Sequence, residues 1–143
     1  MGQWMETNRA VVFPAQCDHL GHMNVRYYAH VFDDASFHAW ASIGITFEAM
    51  YAEKAVTVVA HAATDFIQEV RAGSLIKVES AFAKVGSKST TYHQRLINAE
   101  SGILHATQRV VEVFFDLETR SSVAMPDAFR QIIAEALVPG LED

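Results

Sequence analysis

Residues 25–43 of this sequence form one long amphipathic segment, around which the rest of the chain must fold. Its apolar side chains recur at positions i, i+3, i+4 and i+7, which is the spacing of one face of an α-helix. The segment is apolar around so much of its circumference that other elements must cover it. The stripe consists of Val25, Tyr28, Ala29, Phe32, Ser36, Ala39, Trp40 and Ile43, and it is broadened by Tyr27, Val31 and Phe37. The sequence therefore predicts a long, largely buried helix.

Both ends of this predicted helix carry suitable terminal residues. Asn24 can accept a hydrogen bond from the first free backbone N–H groups, so we predict it as the N-cap. Gly44 can adopt the left-handed conformation that ends many helices. A short, partly helical piece is expected over residues 46–54. The polar side chains of the segment are predicted to form a solvated or interface face: His30, Asp33, Asp34 and His38.

Strand patterns surround the helix on both sides. A short strand over residues 9–16 is predicted to be an edge strand, because Pro14 removes one ladder donor. Four strands at 56–70, 75–85, 89–98 and 103–116 follow, with turns near Gly73, at residues 86–88 and at residues 98–102. Pro126 is expected at the first position of a helix that runs to about Leu137.

One nearly surrounded helix beside one antiparallel sheet predicts an α+β fold, in which a curved sheet wraps around the helix. The length of 143 residues is typical of one domain, so residues 1–143 are expected to form one. The edges of such a sheet need covering, which favours a homodimer.

Composition excludes several classes of protein. The chain has 11 Lys and Arg against 17 Asp and Glu, and the resulting charge of −6 gives no basic footprint for nucleic acid. The one cysteine, Cys17, can form neither an internal disulfide nor a Cys-rich zinc site. We find neither a secretory signal nor a run of about 20 apolar residues that would span a membrane. A soluble, cytoplasmic protein is expected.

The densest cluster of chemically capable side chains lies where the first strand is followed by the long helix: Gln16, Asp18, His19, His22 and Asn24. A helix N-terminus presents unpaired N–H groups and partial positive charge, which suits a carbonyl oxygen that becomes negative during a reaction. Asp18 is then a candidate general base or nucleophile. The alternative is that Asp18 only caps the helix. His19 and His22 have no evident third and fourth ligand, so no metal is predicted.

The pattern Asp18-x-x-Gly21-His22-Met23-Asn24-x-x-x-Tyr28 resembles the signature of the hotdog-fold acyl-CoA thioesterases related to 4-hydroxybenzoyl-CoA thioesterase. Residues 70–74, 84–89, 114–120 and 125–127 also resemble family segments, and the resemblance covers about residues 12–130. The chain departs from the family at two places. Val25 stands where a second Asn is frequent, and Ser74 stands where Asp commonly follows the glycine.

This resemblance implies hydrolysis of an acyl-CoA thioester with neither metal nor cofactor. It makes Asp18 the catalytic carboxylate, assigns the backbone N–H groups of residues 22–25 to the thioester oxygen, and places His22 and Asn24 at polar site positions. It also implies a homodimer or a dimer of dimers. The turn that would contact the coenzyme A phosphates contains Lys84, Gly86, Ser87, Lys88 and Ser89.

Two other functions remain compatible with the same fold. One is an enoyl-thioester hydratase, although its Asp and His stand in a different local motif that this sequence lacks. The other is a dimer that binds acyl thioesters without catalysis. The residues leave open whether Asp18 is base or nucleophile. They also leave open whether the acyl group is aryl, short and aliphatic, or a cationic group held by aromatic rings.

Overall fold

The computed structural model describes residues 2–141. Their helices and strands follow one another as β1 (Met5–Val11), α1 (Val25–Ser42), α2 (Phe47–Ala52), β2 (Val56–Phe66), β3 (Leu75–Val85), β4 (Ser89–Asn98), β5 (Leu104–Asp116), β6 (Ser121–Ser122) and α3 (Asp127–Ala136). A single turn of 3-10 helix over Pro14–Gln16 lies between β1 and α1.

The strands form one curled antiparallel sheet with the spatial order β1-β3-β4-β5-β2, and the short β6 pairs with the end of β5. Helix α1 lies against the inner face of the sheet, where its buried side chains meet those of β3, β4 and β5. This is the hotdog arrangement, and the predicted α+β class with a curved sheet around a long helix is confirmed.

The ends of α1 are set by the residues that the sequence indicates. The Asn24 side chain accepts a hydrogen bond from the Arg26 backbone N–H at 3.1 Å, so Asn24 is the N-cap. Gly44 has a φ of +86°, a left-handed conformation that glycine adopts without steric cost. The predicted cap and stop are both confirmed.

Only one side of α1 is buried within the chain. Its buried residues are Tyr28, Val31, Phe32, Ala35, Ser36, Ala39 and Trp40. Val25 and Ala29, which the periodicity places on the buried stripe, are exposed, and so is Phe37. The prediction that α1 is nearly surrounded is therefore wrong for a single chain. The sheet covers one side of the helix and leaves apolar residues on its other side exposed.

Aromatic side chains fill the core beneath the second half of α1. The Trp40 ring lies 5.4 Å from Phe82 and 5.8 Å from Phe114, both edge to face, and Phe82 also contacts Tyr92. Such pairs contribute about 0.5–1.5 kcal/mol beyond the burial of their area. This part of α1 is therefore held rigidly on the sheet.

Several predicted boundaries need correction. The first strand covers Met5–Val11 rather than 9–16, because Pro14 starts a 3-10 turn instead of extending the ladder. Strand β2 ends at Phe66 rather than Val70, because the N–H groups of residues 67 and 68 both donate to the His105 carbonyl. Pro126 is the N-cap of α3 rather than its first helical residue, since its ψ of 140° is extended.

None of the helices within residues 2–141 is both long enough and apolar enough to cross a membrane.

Candidate active site at the start of the long helix

The loop before α1 is a tight turn that places Asp18 beside His22. Cys17 and Met23 pair as an antiparallel bridge, and the Asp18 N–H donates to the His22 carbonyl at 2.9 Å. Gly21, with a φ of +79°, allows the chain to reverse between them. The Met23 N–H donates to the Val70 carbonyl at 2.7 Å and thereby fixes this turn to the segment before β3. The backbones of two residues four positions apart are thus held next to each other.

The Asp18 carboxylate is held by its own loop and not by the helix. Its Oδ1 accepts hydrogen bonds from the Leu20 N–H at 2.9 Å and the His22 N–H at 3.4 Å. The Leu20 N–H is the main cause of a pKa below the ordinary value for Asp18, and the His22 N–H acts in the same direction. Since Asn24 is the cap of α1, the helix-capping alternative for Asp18 is wrong. The side chain is ionised at neutral pH.

The structure narrows the set of N–H groups available to a substrate. Those of His22 and Met23 are engaged as described, and that of Asn24 donates to the Gln16 carbonyl at 2.8 Å. The Arg26 N–H is used by the Asn24 cap. Within the described chain the Val25 N–H alone among residues 22–26 has no partner, and Val25 is 64 % exposed. The implied group of four N–H donors is therefore reduced to one.

His22 has an acidic neighbour that the sequence does not indicate. Its Nδ1 lies 3.1 Å from Oε2 of Glu69, and its backbone forms a bridge with Arg71. Glu69 lies between β2 and β3, far from the Asp18 motif in sequence. Only the packing of that segment against the loop brings the two side chains together.

The predicted phosphate-binding turn is the hairpin between β3 and β4. The Gly86 N–H donates to the Ser89 carbonyl at 2.8 Å, and both Lys84 and Lys88 are exposed. Arg130 of α3 donates through Nε to the Gly86 carbonyl at 3.1 Å, and thus adds a third cationic side chain that the sequence does not indicate. The structure therefore brings Lys84, Gly86, Ser87, Lys88 and Ser89 together in one basic turn.

Within one chain, this turn and Asp18 lie at opposite ends of β3. The Asp18 loop adjoins the beginning of β3, where the Val12 N–H donates to the Ser74 carbonyl at 3.0 Å and His22 bridges to Arg71. The turn follows the last residue of β3, which is 11 residues long and therefore spans about 33 Å at roughly 3.3 Å per residue. A single chain does not bring the two groups of residues together.

A groove runs along the uncovered side of α1, between this helix, α2 and β2. It contains a cavity of about 540 Å³ near the end of α1 and another of about 390 Å³ nearer its beginning, and Asp33, Ser36 and Val59 border both. Asp33 and His38 are exposed, as predicted for the polar face of the helix, and they also line the larger cavity. The groove therefore extends from the first turn of α1 to its last.

The larger cavity reaches one buried carboxylate, Glu112 of β5. Glu112 is 4 % exposed, and its Oε2 accepts hydrogen bonds from the indole Nε1 of Trp40 at 3.0 Å and from the Tyr92 hydroxyl. Burial, together with this nearby carboxylate, raises the pKa of Tyr92, so the phenol stays protonated and remains a donor. Nothing in the alternating pattern of β5 singles out Glu112.

No group of three or more His, Cys, Asp or Glu side chains within residues 2–141 is arranged to hold a metal ion.

Comparisons with known proteins indicate the family of the chain. Residues 12–133 match the model of the thioesterase-like superfamily. A comparison with curated proteins finds no match.

Similar solved structures show the same fold at low sequence identity. They include the hypothetical protein SAV2348 from Staphylococcus aureus in complex with CoA (21 % identity, TM-score 0.85, covering 100 % of this chain and 88 % of that one). A second is Slr0204, a 1,4-dihydroxy-2-naphthoyl-CoA thioesterase from Synechocystis (16 % identity, TM-score 0.78, covering 93 % of this chain and 97 % of that one). A third is the probable thioesterase YbaW from Escherichia coli (19 % identity, TM-score 0.78, covering 92 % of this chain and 98 % of that one). Because the superfamily model matches most of its length, the chain belongs to the thioesterase-like superfamily.

Proposed function

We propose that this protein hydrolyses an acyl-CoA thioester at the start of α1. The observation that carries the proposal is that an ionised carboxylate, Asp18, lies in the loop before α1 and that the first residue of this helix, Val25, has an unpartnered N–H group. The Asp18 carboxylate supplies negative charge for attack on a carbonyl carbon, and the Val25 N–H supplies a hydrogen-bond donor for the carbonyl oxygen. Membership of the thioesterase-like superfamily supports thioester hydrolysis in general.

In this mechanism the thioester oxygen accepts a hydrogen bond from the Val25 N–H, where the positive end of the helix dipole stabilises the developing oxyanion. The lowered pKa of Asp18 keeps its carboxylate ionised, as both the nucleophilic and the general-base routes require, and we propose the nucleophilic route. The carboxylate attacks the carbonyl carbon, the carbon–sulfur bond breaks, and the thiolate leaves. Water then hydrolyses the mixed anhydride and regenerates Asp18.

His22 and Asn24 have supporting roles in this proposal. Asn24 caps α1 and so fixes the direction in which the Val25 N–H points. The His22 backbone N–H donates to the Asp18 carboxylate, and the His22 ring is oriented by Glu69. We propose that the His22 ring borders the bound thioester, with Glu69 as a positioning residue.

Thiol release from a panel of acyl-CoA thioesters tests the proposed reaction. Hydrolysis releases free coenzyme A with at least one acyl group. A hydratase would consume an enoyl thioester without release of thiol, and a non-catalytic binding protein would retain the thioester unchanged. Either of these two results would replace the proposal.

We also propose that the protein is a homodimer through β2. This edge strand spans Val56–Phe66, is mostly exposed and has no partner on its outer side within the described chain. An unpaired edge of this length invites a further strand. Apolar side chains exposed on this strand and directly after it are Val58, Val59, Phe66 and Ile67.

Light scattering at micromolar concentration is expected to give at least twice the 15.9 kDa mass of one chain. A mass near 15.9 kDa would contradict the proposed dimer. It would also remove any site to which two subunits contribute.

The basic turn between β3 and β4 is proposed to bind the coenzyme A phosphates of a substrate held by a different subunit, since it lies far from Asp18 of its own chain. Its cations are exposed, and an exposed ion pair contributes only about 0–1 kcal/mol. Lys88→Ala is therefore expected to raise KM for an acyl-CoA severalfold, with kcat nearly unchanged. The Lys54→Ala variant, which also removes one exposed lysine, serves as the control.

The matching acyl-pantetheine thioester lacks the pyrophosphate and the 3′-phosphate, so its KM is expected to be the same for Lys88→Ala and the parent protein. An equal increase on both substrates would mean that the turn supports the fold and does not contact the phosphates. No increase on either would place the phosphate contacts elsewhere or indicate an acyl carrier protein as the donor.

A further inference from the structure

The larger cavity combines an apolar wall with a buried carboxylate. Phe37, Phe47 and Met50 line its sides, and Glu112 lies at its inner end. A wholly apolar ligand would leave that carboxylate in contact with hydrocarbon. Burial of an ionised group without a partner of opposite charge is costly. The cavity is therefore unlike a simple pocket for a neutral alkyl or aryl group.

The hydrogen bonds of Glu112 leave one of its oxygens available. Both Trp40 and Tyr92 donate to Oε2, and within the described chain no donor reaches Oε1. The described residues that line the cavity include neither Lys nor Arg, and their one histidine, His38, is exposed. The carboxylate is thus held in place by two neutral donors, and no described residue that lines the cavity gives it a cationic partner.

Aromatic rings surround the same space. The Trp40 indole is held on Glu112 through its N–H, and Phe37 and Phe47 lie with their ring centroids 5.3 Å apart beside it. The faces of aromatic rings attract organic cations, most strongly when the cation is desolvated. Asp33, at the border of the two cavities, adds a second negative charge. Rings and carboxylates together favour a positively charged ligand.

We propose that this cavity binds an alkylammonium group, with the positive nitrogen near Glu112 and Trp40 and the alkyl part along the apolar wall. Two sources share this chemistry. One is the far end of the acyl group of the substrate, which rests on the proposed function, and the other is a separate amine ligand.

If the ammonium group belongs to the acyl group of the substrate, the length of the groove determines how long that acyl chain is. Trp40 leans toward the beginning of α1, as helical side chains do, so the carboxylate lies near the level of Ser36. Ser36 lies eleven positions after Val25, which corresponds to about 16 Å along the helix. An extended acyl chain of about twelve carbons that ends in an ammonium group fits this distance.

Isothermal titration with hexyltrimethylammonium, 1-octanol and octanoate tests the site directly and needs no catalysis. The ammonium compound is expected to bind at least tenfold more tightly than the alcohol, and octanoate more weakly than either. Glu112→Gln keeps an oxygen that can accept from Trp40 and Tyr92 but removes the charge, so it should weaken ammonium binding at least tenfold and leave binding of 1-octanol unchanged. Glu100→Gln, which removes an exposed carboxylate in the β4–β5 turn, should change neither.

If Glu112→Gln fails to fold, Trp40→Phe keeps the carboxylate and weakens the ring–cation contact, and it should reduce ammonium binding severalfold. Ammonium binding that is unaffected in a folded Glu112→Gln variant, or octanoate that binds as tightly as the ammonium compound, overturns the proposal. Asp18→Asn should bind hexyltrimethylammonium as the parent does. The titration therefore tests the cavity even if the protein does not hydrolyse acyl-CoA thioesters.

The two sources are separated by comparing dodecanoyl-CoA with its analogue that carries a terminal trimethylammonium group. A higher kcat/KM for the charged analogue, lost in Glu112→Gln, identifies the acyl group as the source. Ammonium binding in the titration without such a preference identifies a separate amine.

Discussion

Asp18→Asn is expected to lower kcat for acyl-CoA hydrolysis by two to four orders of magnitude, in line with about 10²–10⁴ for the loss of a positioned acid–base group. The physical reason is loss of negative charge and not loss of structure. Asn has the same size, and its Oδ1 can still accept the hydrogen bonds of the Leu20 and His22 N–H groups that organise the loop. Steady-state thiol release measures the change, and a thermal melt checks that stability is retained.

Asp116→Asn is the matched control. The Asp116 carboxylate makes the same kind of local turn, because its Oδ1 accepts from the Glu118 N–H at 2.8 Å and the Thr119 N–H at 3.3 Å. It lies at the end of β5, away from the start of α1, so its replacement should leave kcat unchanged. Near-normal turnover of Asp18→Asn would remove Asp18 from the mechanism.

Trapping distinguishes the two routes for Asp18. If the carboxylate is the nucleophile, hydroxylamine added during turnover should convert part of Asp18 into a hydroxamate, by attack on the Asp18 carbonyl of the mixed anhydride with the acyl carboxylate as leaving group. Mass spectrometry detects this product in the peptide that contains Asp18. In the general-base route no acyl group is ever attached to Asp18, and this peptide would stay unmodified.

Val25→Pro is expected to lower kcat by about two to three orders of magnitude, the usual cost of removing one oxyanion donor. Proline has no backbone N–H, and the Val25 N–H has no partner within the described chain that would be lost with it. Proline is well tolerated at the first position of a helix. Asn24, with a φ of −69° and a ψ of 144°, already has the extended conformation that a residue before proline requires.

Val25→Ala provides the control for this variant, because it removes the exposed side chain and keeps the N–H group. It should retain activity within a few fold, and circular dichroism should show equal helix content in both variants. Full activity of a folded Val25→Pro protein would mean that the thioester oxygen is stabilised by a different group.

Much of this architecture follows from local patterns in the sequence. The period of α1, its Asn24 cap and its Gly44 end each depend on a few neighbouring residues, and the structure confirms them. The limits of β3 and β4 also follow from local alternation and turn residues. Asp18 and His22 are neighbours in the fold because they are neighbours in the chain. Their contact is therefore visible in the motif itself.

Contacts between residues distant in sequence became visible only in the folded chain. Periodicity places Val25 and Ala29 on the buried stripe, but whether a face of α1 is covered depends on how far the sheet curls around it. Glu69 pairs with His22, and Arg130 donates to the Gly86 carbonyl. In both cases the two segments are far apart in sequence, and the local pattern of neither segment predicts the contact. Glu112 stands in an alternating strand, where a carboxylate is ordinarily expected to face solvent. It is buried because Trp40 of α1 and Tyr92 of β4 both donate hydrogen bonds to it. These donors are distant in sequence, so the residues around Glu112 do not predict its burial.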